Sequence, residues 1–417
     1  MTTATGWKTL GITLLLALLA TTQANAEPES RQEIHNGTSL HGFTGLVIGW
    51  TNPPAASPLQ TDGNELLWNL DQRLLAEAHP TPSLSLAANL LQNLRATSAM
   101  SQYGSSPAGE TERSSLLAWR QHQGDDTTAY LSADSLNARW QSTDTEVTIG
   151  RQPISLATTF FFSPNDFFAP FGAQTFYRVY KPGVDAIRSE TRLANLSQLT
   201  LLGVLGYAPG PTSANGWSDG PEWSRTSLLA RITREQDGFA WGALAGTVRD
   251  HRVAGGSLSG ELFDWLGVRL EGHYADPEQE GVAGGMELSL GLEHRFGNSL
   301  FLRLEHFLHG QGYASVAEIN GDLARGQLRS GLLGKNYSGF GAGYEFSPLV
   351  TGESIVLTNW SDHSGLASFN LVRSLSDETE LAATLTLPFG AKPEPGSIGS
   401  EFGQAGATLL LEFRAYY

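Results

Sequence analysis

From about Leu40 to its last residue the chain alternates apolar and polar side chains in stretches of 9 to 15 residues, each broken by turn residues. A period of two places alternate side chains on opposite faces, which marks strands with one apolar face. The clearest run begins with Leu266, Val268 and Leu270 alternating with Gly267, Arg269 and Glu271. Met286, Leu288, Leu290 and Leu292 then alternate with Glu287, Ser289, Gly291 and Glu293. After Phe296-Gly297-Asn298, Leu300, Leu302 and Leu304 alternate with Phe301, Arg303 and Glu305. Two architectures use such strands. A sandwich turns the apolar face inward, whereas a transmembrane β-barrel turns it to lipid and the charges to its lumen. Composition does not separate them, because 40% hydrophobic and 16% charged residues are what an average over two opposite rows produces in either case.

The C-terminus separates them. Leu409, Leu411, Phe413, Ala415 and Tyr417 share one face, and the chain ends on the aromatic residue. This resembles the terminal strand by which bacterial outer-membrane barrels are recognised, so the barrel-assembly machinery is an expected partner. Met1 to Ala26 carries one Lys at position 8, an apolar stretch from Leu10 to Ala20 and the small-residue ending Ala24-Asn25-Ala26. That layout is a secretory signal peptide cleaved after Ala26, and its apolar run falls short of the roughly 20 residues of a membrane helix. Residues 27–39 are polar, lack alternation and read as a flexible lead-in, leaving 40–417 as one barrel. With no cysteine the chain offers no disulfide, zinc-thiolate, iron–sulfur or covalent c-haem chemistry, and no lipoprotein anchor. A net charge of −16 argues against a nucleic-acid partner.

Strand counting adds a parity test, since bacterial barrels have an even number of strands, short periplasmic turns and longer outer loops. Alternation gives strands near 40–50, 64–78, 83–97, 127–141, 145–153, 183–192, 197–207, 224–234, 237–248, 251–262, 265–275, 284–295, 299–309, 335–346, 353–361, 365–375, 378–389 and 405–417. The count is 18, with 16 as the alternative. If the last strand runs into the periplasm, the turns at 142–144, 193–196, 235–236, 263–264, 296–298 and 376–377 all fall on that side. The long connections 98–126, 154–182, 208–223, 310–334 and 390–404 fall outside. Ser114–His122 also alternates, but counting it in place of 40–50 puts the 98–112 connection in the periplasm, so parity rejects it.

The most specific text lies between Thr145 and Glu190. It runs Val147-Thr148-Ile149-Gly150-Arg151-Gln152-Pro153-Ile154, then Phe162-Ser163-Pro164-Asn165-Asp166-Phe167-Phe168-Ala169-Pro170-Phe171, then Lys181-Pro182-Gly183-Val184-Asp185-Ala186. A Gly-Arg-Gln strand end, an aromatic Asn/Asp loop and a Pro-Gly-Val-Asp return strand resemble a broad group of porin-like outer-membrane proteins that includes the alginate-export barrels. The resemblance implies an 18-stranded barrel that passes a polar solute, and it singles out Gly150, Arg151 and Gln152.

If the apolar rows meet lipid, the opposite rows line the lumen. Alternation turns inward Arg225 and Arg231, then Arg269, Glu271 and His273, then Glu287, Glu293 and Arg295. It does the same for Arg303, Glu305 and His309, for Glu380, and for Glu412 and Arg414. Charges of both signs hold a wet lumen open and set a transverse field. Arg151 shares a face with Val147 and Ile149 and so turns outward, which calls for a bulge or a position at the membrane edge. Arg373 shares a face with Phe369 and Leu371 but lies near the periplasmic end, within snorkelling reach of headgroups. The 154–182 connection carries Phe160, Phe161, Phe162, Phe167, Phe168, Phe171, Phe176, Tyr177 and Tyr180, too apolar for a free outer loop. We expect it to fold into the barrel as a constriction or plug, with Asn165, Asp166, Arg178, Lys181 and Asp185 as its polar contacts; packing on the rim or on another subunit is the alternative.

No catalytic constellation emerges. His306 and His309 are three apart and fall on opposite faces of a strand. Gly339-Phe340-Gly341-Ala342-Gly343 reads as a strand with one bare face, not a phosphate loop. The expectation is a porin or export conduit for small polar or charged solutes, neither an enzyme nor a cofactor protein, in contact with lipid and lipopolysaccharide. The alternative is a structural sheath around a periplasmic partner such as a multihaem cytochrome or a secretion component.

Overall fold

The computed structural model describes residues 37–55, 57–58, 65–97, 111–124, 126–278, 284–328 and 331–417. The signal peptide and most of the lead-in expected from the sequence lie outside the described residues. In chain order the strands are β1 (Thr38–Asn52), β2 (Glu65–Thr81), β3 (Leu84–Thr97), β4 (Ala118–Gln123), β5 (Thr127–Gln141), β6 (Thr145–Gln152) and β7 (Val184–Arg192). β8 (Ser197–Val204), β9 (Tyr207–Pro209), β10 (Trp217–Pro221), β11 (Ser227–Gln236), β12 (Phe239–Val248), β13 (His251–Leu262) and β14 (Leu266–Pro277) follow. The last are β15 (Gly285–Arg295), β16 (Phe301–His309), β17 (Asn336–Ser347), β18 (Val350–Asn359), β19 (Ser364–Ser376), β20 (Thr379–Phe389) and β21 (Ala407–Tyr416), with helix α1 (Val316–Ala324) between β16 and β17.

Eighteen of these strands form a closed antiparallel barrel. Each pairs with its neighbour in sequence, and β21 returns to β1 with Phe43 opposite Tyr416 and Asn52 opposite Ala407. Closure matters physically, because an open edge would strand backbone donors and acceptors that lipid cannot satisfy. All 18 predicted strands are present, within a few residues at their ends. Two turns shift: that expected at 376–377 falls at Asp377-Glu378, and β11 continues to Gln236, so that Asp237-Gly238 turns with φ of 52° and 81°. An Asp-Gly pair with both φ positive is the favoured two-residue hairpin turn, so the local turn chemistry overrides the end read from periodicity.

The wall's outer surface is apolar all round. Leu66, Leu228, Ile149 and Leu304 are each about half or more exposed on different strands. Trp50, Trp68, Trp223 and Trp360 ring the end with the long loops, and Phe263, Trp265, Phe296 and Phe346 ring the end with the termini. An apolar band between two aromatic girdles is the outside of a membrane barrel. Arg373 is exposed on this face close to the Asp377-Glu378 turn.

Two buried apolar clusters lie inside the barrel, and a third joins Tyr313, Ile319 and Leu333 to Ile398 among the connections around α1. One gathers Ile154, Leu156 and Phe168 against Val184, Leu202, Leu229 and Leu244. A second gathers Phe161 and Phe162 against Phe307, Tyr337, Ile355, Leu357 and Phe402. Several inward wall positions are therefore apolar, because they face protein there and not water.

The wall also has a repaired gap. β6 and β7 are only 8 and 9 residues long, so the loop-end half of β5 loses its partner where the chain leaves the wall at Gln152. β4 takes that place, pairing Ala118 with Ser132 and Gln123 with Thr128. The 114–122 stretch is thus a strand in part, but one added to the wall and not one of the 18.

Candidate functional site

Segment 153–183, between β6 and β7, folds into the lumen. Its contacts require this, since they reach inner faces on every side of the barrel. Asn165 donates to the Gly256 carbonyl of β13 at 3.0 Å, Tyr177 meets the Tyr416 hydroxyl of β21 at 3.1 Å, and Tyr180 lies under the Arg73 guanidinium of β2 at 4.6 Å.

Two wall carboxylates hold the segment. Glu271 of β14 accepts from the backbone N–H groups of Thr158, Thr159 and Asn165, the last two at 3.3 Å. Glu305 of β16 accepts from Phe160 and Phe161 at 2.6 Å and from Phe162 at 3.2 Å. Both side chains are fully buried. A buried carboxylate without enough partners is costly, and backbone donors that have left a sheet are equally costly, so each satisfies the other. These two residues were expected to line a wet pore. They face inward as alternation predicts, but the folded-in segment covers them, so they anchor backbone and do not meet solution.

Around this clamp the aromatic residues fill fitted space. Phe162 stacks on Phe307 with ring centroids 5.2 Å apart, and Phe167 meets His273 edge-on at 4.9 Å. Phe161 lies over Gly339 and Gly341, where an added Cβ would come within 2.6 Å and 2.8 Å of its ring. The bare face of β17 is therefore the inner one. Phe168 joins the cluster on β7 and β8, and Phe171 lies 5.9 Å from the Arg178 guanidinium. Arg178 staples the segment to itself, stacking on Phe160 at 3.9 Å and donating to the carbonyls of Phe160 and Thr175. Lys181 pairs with Asp166 at 2.5 Å, both side chains almost fully covered.

Towards the termini, inward rows carry ion pairs. Glu293 lies between Arg269 at 2.8 Å and Arg303 at 3.0 Å. Arg139, Glu146, Arg188 and Glu190 form a chain across β5, β6 and β7, with separations of 3.4 to 3.8 Å. Arg231 of β11 follows, and among the described residues no hydrogen bond or ion pair joins its side chain. Next to it the inner wall is small at Gly242, where an added Cβ would come within 3.5 Å of Arg231 Nε. Glu287 pairs with His309 at 2.8 Å, while His306 lies on the other face against Ser338. Arg295 stacks on Phe301 at 5.5 Å near the terminal rim. Across the lumen Arg414 joins Glu412 at 2.6 Å and Glu380 at 3.4 Å under the ring of Tyr177.

Three expected positions move. Arg225 is not on a strand. It ends a 3-10 turn, Trp223–Arg225, at the mouth and grips Glu112 together with Arg249, at 2.9 Å and 2.8 Å. Burial opposes ionisation of Glu112, but the two guanidinium groups and the Tyr207 N–H outweigh it and hold its carboxyl below the ordinary range. Asp185 is not a contact of the constriction. It opens β7 opposite Arg151, and the pair is bidentate at 2.8 and 2.9 Å. Arg151 does share the outward face of Ile149, with no register shift in β6, yet it is 1% exposed. Residues 111–117, which lead into β4, cover it: the Ser114 carbonyl accepts from Arg151 at 2.8 Å and the Ser114 N–H donates to Asp185 at 2.8 Å. Neither a bulge nor a bare membrane edge is needed. Gly150 has φ of 115° and a Cβ there would sit 2.4 Å from the Leu136 carbonyl, so the motif's glycine answers to backbone approach. Gln152 caps the exit, donating to the carbonyls of Thr148 and Ala186. Sequence reasoning missed the Arg73–Asp134–Arg113 bridge, 2.6 and 2.9 Å, that ties the same strap to the wall. Its only trace is the alternation of 114–122.

No family model matches the chain, and no curated protein matches it. Solved structures do. The chain is similar to Acinetobacter baumannii OccAB2 (TM-score 0.58, 10% identity, 93% of this chain and 99% of that one). It is also similar to Pseudomonas aeruginosa OccK2 (OpdF), solved in complex with glucuronate (TM-score 0.56, 12% identity, 91% and 97%). A third similar structure is the outer membrane protein OpdK of Pseudomonas aeruginosa (TM-score 0.55, 10% identity, 91% and 99%). At these identities the likeness is one of fold.

Proposed function

We propose that the chain is an outer-membrane channel for small charged solutes, exported behind the Met1–Ala26 signal, with segment 153–183 as its constriction. The observation that carries this reading is the clamp: a connection held inside the barrel by Glu271 and Glu305, above a belt of charged wall residues. Arg139, Arg188, Arg231, Arg269 and Arg303 outnumber Glu146, Glu190 and Glu293 in the belt from β5 to β16, and Glu353, Glu380 and Glu412 outnumber Arg414 from β18 to β21. Opposed arcs set a field across the passage and favour a solute that carries charge. Among the described residues Arg231 is the one of the five belt arginines from β5 to β16 whose side chain makes no hydrogen bond or ion pair, which leaves its guanidinium for a solute anion. The glucuronate bound by OccK2 is such an anion, and it supports a preference for small organic anions here.

A sheath around a periplasmic cytochrome or secretion component is the weaker reading, because its partner would need the space that 153–183 occupies. Planar-bilayer recording tests the choice. The purified chain should conduct alone, with a reversal potential in a salt gradient that favours anions; absence of defined conductance would remove the channel reading. Deleting 160–176 should raise single-channel conductance, and an unchanged value would remove the constriction.

A further inference from the structure

Glu401 begins the 3-10 turn of the β20–β21 connection and is buried to within 1%. Its carboxyl meets no cation among the described residues. Oε1 accepts from the Leu333 N–H at 3.1 Å, and Oε2 accepts from the Tyr337 hydroxyl at 2.5 Å and from the Asn359 amide at 2.7 Å. Those donors belong to three other segments: the connection before β17, β17 itself and the end of β18. Tyr337 in turn accepts from the Gly334 N–H at 2.5 Å. The remaining charged group that faces Glu401 is a second carboxylate, Asp362 of the β18–β19 connection, which accepts from the Glu401 N–H at 2.6 Å. The next residue, Phe402, packs in the same cluster as Phe162 of the constriction, beside Phe307 and Tyr337. One carboxyl therefore joins the mouth loops to the wall, and its neighbour in the chain shares an apolar cluster with the element that narrows the lumen.

We propose that Glu401 is a proton-operated latch, which ties the 390–406 loop to Leu333, Tyr337 and Asn359 when neutral and loosens that loop, and with it the packing on Phe162, when ionised. Ionisation in this site places a charge in a buried, cation-free pocket beside Asp362. Burial, with Asp362 adding to it, raises the carboxyl to about 7 against the ordinary 4.5, despite its three donors. The sign follows from linkage. A carboxyl raised in the latched state binds its proton more tightly there, so latching is strongest below pH 4.5 and weakens as pH rises to about 7, where the effect levels off. Across that window the ratio of loosened to latched chains should rise by about a hundredfold.

The latch rests on the channel reading only for its effect on conductance, so two readouts separate them. Hydrogen exchange of 397–404 and 331–336 in detergent-solubilised full-length chain should accelerate, beyond the intrinsic pH dependence, from pH 4.5 to 7 in the wild type. In E401Q, a neutral isostere, that excess should vanish while the barrel strands stay protected. D362N should shift the transition to lower pH. Equal pH profiles for wild type and E401Q would overturn the latch whatever the channel does. If the exchange difference appears and single-channel currents of wild type and E401Q do not diverge between pH 4.5 and 7, the coupling to Phe162 is wrong and the proposal falls.

Discussion

Glu293 and the pair Glu271 and Glu305 lie on three neighbouring strands, face the same way and differ by one or two inward rungs, about 7 Å each. Glu293 remains between two guanidinium groups at the edge of open lumen, while Glu271 and Glu305 are sealed under backbone they hold. The residue type is the same and the periodicity is the same. What differs is the cover: the 153–183 segment crosses above one row and not the other. A carboxylate left wet contributes to a field, whereas one that loses water must find donors, and here each of the two finds three N–H groups of a chain that has left its sheet.

Four variants break or sharpen this contrast. The largest effect is expected from E271A/E305A, which leaves six backbone donors unpaired at about 1–3 kcal/mol each; single-channel conductance should rise several-fold, and the segment should become cleavable by added protease. Next is G341V, which forces a side chain into the place of the Phe161 ring; overpacking of about 1–3 kcal/mol should destabilise the segment, read as a lower thermal transition with strands intact. R231Q should then reduce anion preference about three-fold in reversal-potential measurements, with conductance nearly unchanged, because the passage keeps its width. The smallest is E293Q, which frees Arg269 and Arg303 and should increase anion preference by about two-fold. If E293Q widens the channel as much as the double variant, the distinction between covered and open carboxylates is wrong.

The wall was legible because alternation is a local property that each strand repeats, and parity then ties the strands together. Eighteen strands, their direction and the faces of Glu287, Arg303 and Glu412 follow from it. The in-folding of 154–182 was legible for another reason: nine aromatic residues in one connection cannot remain in water. Individual roles were less accessible. Arg225 looked like a strand residue since it sits next to an alternating run, but its partner is Glu112, 113 positions away in the chain. Asp185 follows the loop text closely, yet its partner Arg151 stands opposite it on β6. Glu401 carried no signal at all, because no local pattern marks a carboxyl that meets Leu333, Tyr337 and Asn359.

The sequence by itself determined a barrel and which side of each strand meets lipid, and it favoured 18 strands over 16, since those follow from backbone geometry of period two and from the need to pair every backbone group. Only the tertiary structure decided which inward charges stay wet, how β4 and the strap at 111–117 repair the wall, and which carboxyls hold loops. Those outcomes depend on where one connection lies in the lumen, and that path is set by contacts between residues more than a hundred positions apart, such as Thr159 with Glu271 and Phe161 with Glu305.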